Sequence, residues 1–319
     1  MLASLRRLLL GLALIGAGLA LGTPPVHAAP VTAVASFSIL ADLVREVGGD
    51  RITVHALVGP DEDAHGYQPR PSDARTVREA RLVVVNGLGF DTWLSRLAGS
   101  EGHASTLVVA SEGIETIDEN PDHAHHHGHD HDHEQGDATA RTPDPHAWQD
   151  VSRARIYVRN IAAALAQADP EGASEYAANA ERYDRTLQQL DDEIRSTLAR
   201  LTPERRKLVT SHDAFAYFGA AYGMRVVAAA GVSMESEPSA AGIARLIRQL
   251  RKEKVPAVFV ENISDPRLIE RIAREGGARI GGRLHSDALS GEAGPATTYI
   301  DLMRANLRTI IEGLTPHDG

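Results

Sequence analysis

The chain has 319 residues, with 33 basic against 43 acidic side chains, a formal net charge of −10, and no cysteine. The missing thiol excludes a disulfide framework, a thiolate metal site and a lipid-modified cysteine. The acidic balance speaks against nucleic acid or anionic lipid as a partner and concentrates cations near the surface.

The N-terminus reads as a cleaved secretory signal over residues 1–28. Arg6 and Arg7 precede an apolar stretch from Leu8 to Leu21, and small residues follow up to Ala28 and Ala29. That stretch is shorter than the roughly 20 residues a membrane span needs. The expected product is a free periplasmic protein without a lipid anchor. At about 290 residues it is large for one core, which predicts two lobes.

In chain order, Val31–Ala35 alternates like a strand, Ser38–Val47 reads as a helix stopped by Gly48-Gly49, and Arg51–Val58 reads as a strand stopped by Gly59-Pro60. Ser72 or Asp73 is placed to cap a helix through Ala80. Leu82–Val85 is a continuous apolar run of the kind found in buried parallel strands. A helix over Asp91–Leu97 and a strand over Thr106–Ala110 follow. This alternation predicts an α/β lobe with a parallel sheet, placed at residues 29–170.

Residues 118–143 break the pattern. Between Asp122 and Glu134 lie seven histidines: His123, His125, His126, His127, His129, His131 and His133. With almost nothing apolar to bury, the segment reads as a mobile loop and a weak accessory metal collector.

Val151–Ala168 reads as a helix closed by Asp169-Pro170. A longer helix is predicted over 171–201 from the stripe Tyr176, Ala180, Tyr183, Leu187, Leu190, Ile194, Leu198 and Leu201. Such a helix would span about 46 Å and serve as a rigid connector. Residues 202–319 resume the alternation. Strands are expected at Lys207–Thr210, Arg225–Ala229, Val258–Glu261 and Arg279–Gly282. Helices are expected at Ala214–Tyr222, Ala240–Lys252, Pro266–Glu275 and Tyr299–Glu312.

Seven histidines of the exported chain lie outside the rich loop. His65, His146 and His212 fall at junctions of strand, loop and helix, where open α/β sheets bind ligands. Asp287, after the strand ending near Gly282, can add a fourth, anionic ligand. Three imidazoles and one carboxylate suit tetrahedral Zn²⁺, whereas Mn²⁺ prefers more oxygen. His55 lies within a strand, His103 in a polar loop and His317 in the tail, and these are set aside as bystanders. His285 is given no role.

The segments Val58-Gly59-Pro60-Asp61 through His65-Gly66-Tyr67-Gln68-Pro69, Pro71-Ser72-Asp73, Val85-Asn86-Gly87-Leu88-Gly89-Phe90 and Asp144-Pro145-His146-Ala147-Trp148 are distinctive. So are Ser211-His212-Asp213-Ala214-Phe215-Ala216-Tyr217-Phe218, Val258-Phe259-Val260-Glu261 and Asp287-Ala288-Leu289. Over residues 31–312 the chain resembles the zinc- or manganese-specific solute-binding proteins of ABC transporters. The resemblance implies two α/β lobes joined by one long helix. It places the first-lobe ligands on His65 and His146 and the second-lobe ligands on His212 and Asp287. Manganese members tend to carry Glu where this chain has His212. The histidine-rich loop is also a feature of zinc members. Two departures stand out: Ala64 replaces an acidic residue common before the first ligand, and the disulfide of some zinc members cannot form.

The resemblance implies delivery of one tightly bound Zn²⁺ to an inner-membrane permease. A periplasmic zinc metallochaperone is a candidate second partner, and the chain is expected to act as a monomer. Metal binding should clamp the lobes and order the loops Gly231–Pro238 and Arg283–Pro295. The competing readings are a periplasmic zinc buffer, a manganese-binding protein, and a metallohydrolase with Asp213 or Glu261 as base. No His-Glu-x-x-His pair, Gly-x-Ser-x-Gly elbow or phosphate loop supports an enzyme.

Overall fold

The computed structural model describes residues 30–100, 106–118, 142–231 and 239–315. The signal segment, the seven histidines of the rich loop, His103, His317 and most of Gly231–Pro238 lie outside the described residues.

The first lobe holds a four-stranded parallel sheet built from β1 (Val31–Phe37), β2 (Ile52–Val58), β3 (Leu82–Val85) and β4 (Thr106–Val109), in the order β2-β1-β3-β4. All four residues of β3 are buried, as a strand covered on both faces requires. Helices α1 (Ser38–Gly48), α2 (Pro71–Glu79) and α3 (Thr92–Ser100) cross between these strands. The start of α2 differs from expectation. Arg70 is the cap position, Pro71 opens the helix, and Asp73 sits in its first turn with its carboxylate accepting from the Arg70 N–H at 2.6 Å. Asp73 therefore closes the turn from inside the helix, and proline takes the position where a missing N–H costs nothing.

The second lobe repeats the arrangement. Strands β5 (Lys207–Thr210) and β6 (Arg225–Ala228) pair in parallel, as do β7 (Ala257–Glu261) and β8 (Arg279–Leu284), and β5 packs beside β7. The repeat lies in the parallel α/β pairing and not in one continuous sheet: β5-β6 and β7-β8 are two separate two-stranded sheets, whereas the first lobe has one sheet of four. Helices α6 (Ala216–Tyr222), α7 (Ala240–Glu253), α8 (Arg267–Gly276) and α9 (Tyr299–Leu314) complete this lobe.

Helix α4 (Val151–Ala168) closes the first lobe, and the long α5 (Ala173–Leu198) leads on to the second. The connector is shorter than the stripe suggested. Pro170–Gly172 form a separate tight turn, and the chain leaves the helix at Ala199. Leu201 keeps the period of the stripe but is buried from the following turn, where Arg206 donates to the carbonyls of Leu201 and Ala199. At 26 residues the helix spans about 39 Å. It packs on α1 and α4 of the first lobe and on α6 and α9 of the second. Leu187, Leu190, Ile194 and Leu198 are fully buried, each worth roughly 1.5–3 kcal/mol of apolar burial. Among the described residues no helix is long and apolar enough to cross a membrane.

The lobes are also tied through the cleft floor. Trp148, fully buried, donates its indole N–H to the Ser286 carbonyl at 3.0 Å, and Gln149 donates to the same oxygen at 2.7 Å. Tyr299 donates its hydroxyl to the Trp148 carbonyl, while its backbone N–H donates to Asp42. The polar composition of Arg283–Pro295 suggested a loosely held loop, yet Leu284–Ser290 are all buried. Their small polar side chains let the backbone pack between the lobes, with Leu289 N–H donating to Ser38 Oγ and His285 N–H to Asn306.

Candidate metal centre

Four loops bring the candidate ligands together. His65 follows β2, His212 follows β5 and Asp287 follows β8, each beyond the carboxyl end of its strand, while His146 immediately precedes the short turn Ala147–Gln149 that leads into α4. One donor atom from each lies within 4.8 Å of all the others, so the group can hold a metal ion. The three imidazoles present Nε2 to one carboxylate. His212 Nε2 is 3.1 Å from Asp287 Oδ2, His65 Nε2 is 3.3 Å from the same oxygen, and His146 Nε2 is 3.6 Å from Oδ1. His65 Nε2 is also 3.1 Å from His146 Nε2. These separations match the edge of a tetrahedron with bonds of 2.0–2.1 Å, which is about 3.3 Å. Asp287 Oδ1 is buried with no hydrogen-bond donor, as an oxygen reserved for a cation would be.

The outer faces of two imidazoles are held by carboxylates: Asp144, to which the sequence assigned no role, and Glu261, which it offered only as a base. His146 Nδ1 is 2.7 Å from Asp144 Oδ1, which also accepts from the His146 backbone N–H at 2.8 Å. His212 Nδ1 is 2.6 Å from Glu261 Oε2, at an angle too oblique for an in-line hydrogen bond. Glu261 Oε1 accepts from the His212 backbone N–H at 2.9 Å. Each carboxylate favours a proton on Nδ1, which leaves the Nε2 lone pair facing the centre. Asp144 was visible two residues before His146, and Glu261 was visible as a charge ending an apolar strand. Only the fold joins Glu261 to His212. Proposed earlier as a base, Glu261 is instead engaged with a ligand imidazole.

Burial and charge are finely opposed here. Burial alone would push the His146 imidazole down, but the Asp287 and Asp144 carboxylates hold it up at about 9. Burial likewise works against charge on His212, yet Glu261 and Asp287 raise it well above the usual imidazole range. Asp287 would be raised by burial, but His212 and His146 draw it well below the usual carboxylate range. Protons thus balance the anionic centre in the free protein, and a bound cation would replace them.

The other two described histidines lie outside this group. His55 is exposed on β2, and His285 is buried two residues before Asp287 with its Nδ1 unpartnered. The walls are aromatic. The His65 ring meets Phe90 edge-on with centroids 4.5 Å apart, and Phe90 and Trp148 meet His146 edge-on at 6.1 and 5.3 Å. Asn86 ties the floor, donating to the Pro145 carbonyl and accepting from Tyr157.

Residues 33–313 match the model of the family described as ZnuA, zinc-uptake complex component A, periplasmic. The chain belongs to this family. It is 34% identical over 282 residues to the manganese-binding lipoprotein MntA of Halalkalibacterium halodurans, covering 88% of each chain. It is 32% identical to the iron-binding protein YfeA of Yersinia pestis, covering 93% of this chain and 90% of that one. Among solved structures it superposes on the periplasmic zinc-binding protein TroA from Treponema pallidum with a TM-score of 0.80 and 27% identity, covering 90% of this chain and all of the other. A Mn-bound periplasmic metal-binding protein from Candidatus Liberibacter asiaticus gives 0.77 and 28%, covering 89% of this chain and all of the other. The protein is therefore a metal-binding, substrate-binding component of an ABC transporter, and it works with a membrane permease.

Proposed function

We propose that this protein captures one Zn²⁺ ion between its lobes and delivers it to the transporter permease for uptake. The observation that carries the reading is the donor set: three imidazoles and a single carboxylate whose donor atoms lie within 4.8 Å of one another. Zn²⁺ accepts such a set, whereas Mn²⁺ favours more oxygen ligands and higher coordination. His65 and His146 come from the first lobe (residues 29–170), and His212 and Asp287 from the second (202–319). The ion acts as cargo and clamps the two together. Four protein donors leave no open position for a substrate, which argues against hydrolysis.

The protein is proposed to work in the periplasm as a free monomer, exported by the signal at residues 1–28. Several relatives are named lipoproteins, but this chain has no cysteine to carry a lipid. The histidine-rich segment, from His123 to His133, is proposed to collect zinc weakly, either from solution or from a metallochaperone.

A manganese-binding role is the second reading, favoured by the names of MntA and of the Mn-bound structures. Metal accumulation by cells with and without the protein separates the two, because zinc outcompetes manganese at most nitrogen and oxygen sites whatever the cargo. Protein-dependent uptake of zinc with manganese uptake unchanged supports the proposal. Protein-dependent uptake of manganese and not of zinc overturns it.

A further inference from the structure

Of the four ligands, His146, His212 and Asp287 have no side-chain exposure, while His65 retains 8%. An arriving ion therefore meets His65 first. Beside His65 lies an open cavity of about 640 Å³, within the roughly 300–1,000 Å³ range of small-molecule sites. Its walls include Tyr67, Phe90 and Trp93, braced by the Trp93 indole N–H donating to the Ala64 carbonyl at 3.1 Å.

Among the described residues, the one full charge that the walls of this cavity carry is positive, the Arg96 guanidinium. Apart from His65, the only ionisable side chains among the described lining residues are Arg96 and the phenol of Tyr67, whose hydroxyl donates to the Asp73 carboxylate at 2.8 Å. Arg96 is exposed, and its only hydrogen bond among the described residues is a long one of 3.4 Å to Thr92 Oγ1. The nearby Glu62 and Asp63 are turned into their own loop, accepting from the Gly59 and His65 N–H groups. Arg96 would repel aqueous Zn²⁺ and attract an anionic complex of it. Guanidinium is also the side chain best matched to a carboxylate.

We infer that this cavity is a docking site for the ion's small anionic chelate, of the hydroxycarboxylate class, from which His65 takes the metal. This rests on the zinc-capture reading. Arg96 holds a carboxylate of the chelator while His65 Nε2 replaces one of its oxygens on the ion. The three buried donors then replace the rest. The chelator leaves intact as a carboxylate, and protons displaced from the imidazoles pass to solvent.

The test is stopped-flow tryptophan fluorescence on the metal-free exported protein, mixed with either zinc citrate or aqueous zinc in a non-coordinating buffer. The parent is compared with Arg96→Ala and Arg96→Lys. The expected result is loading from citrate slowed roughly tenfold in Arg96→Ala at low salt. Loading from aqueous zinc should be unchanged or faster, Arg96→Lys should recover part of the rate, and the equilibrium affinity should stay the same. Equal slowing from both donors, or no change from either, overturns the inference. Failure of the zinc-capture reading would show differently, as no tight one-to-one zinc in the parent from any donor.

Discussion

Glu261→Gln changes one atom of the centre's support and none of its ligands. In the parent, Glu261 Oε1 accepts from the His212 N–H at 2.9 Å, and Oε2 lies 2.6 Å from His212 Nδ1. Both side chains are fully buried, so no water can substitute. In the variant, the amide oxygen must stay on the backbone N–H, because an amide group there would set donor against donor. The NH₂ then faces Nδ1 and demands a lone pair from it. The imidazole proton moves to Nε2, the atom that must bind the ion, and metal can bind only by forcing the less compatible arrangement. Loss of such an outer partner costs about 10–100-fold in metal affinity, or about 1.4–2.7 kcal/mol. The assay is competition against a chromophoric zinc chelator at pH 7.5, with thermal unfolding of the metal-free protein as a control for folding. A Kd within twofold of the parent, with folding intact, would refute the role assigned to Glu261.

Three further outcomes follow from the same coordinates. Asp144→Asn should weaken zinc by a similar factor, because Asp144 Oδ1 serves both Nδ1 and the backbone N–H of His146; the same competition assay measures it. Asp61→Gly should speed zinc dissociation about three- to tenfold in a chelator chase while folding stays intact. Asp61 carries a φ of +55°, which glycine adopts freely, and its carboxylate ties the first lobe to Asn262 and the Gly291 N–H, bonds each worth about 0.5–1.5 kcal/mol. Asp42→Asn should stabilise the protein above pH 6 and lose that advantage near pH 4 in denaturant titrations. Burial raises the Asp42 carboxyl to about 6, so the folded state holds its proton more tightly than the unfolded chain. That stabilisation is full below about pH 4 and fades as pH rises through 6, by up to about 3 kcal/mol.

Much of the architecture was legible because its signals are local. Leu82–Val85 announced a buried strand, and Val151–Ala168 was closed by Asp169-Pro170 as the structure has it. His65, His212 and Asp287 each follow a strand and His146 stands just before a helix, and the structure gathers all four. What escaped depends on contacts between distant segments. Glu261 meets His212 across 49 residues, and nothing in Val258-Phe259-Val260-Glu261 names that partner. Asp61 looks like a turn residue until its positive φ and its bonds to Asn262 and Gly291 appear. Leu201 extended the connector on paper because periodicity records burial, and a turn can bury a leucine as well as a helix can.

The central claim is a single zinc ion held by three imidazoles and one carboxylate. Calorimetric zinc titration of the exported protein and of His212→Ala, with bound metal counted by elemental analysis, tests it most directly. The account predicts one tight ion in the parent and its loss or severe weakening in the variant. A tight site that survives His212→Ala, or only several weak ions in the parent, would contradict it.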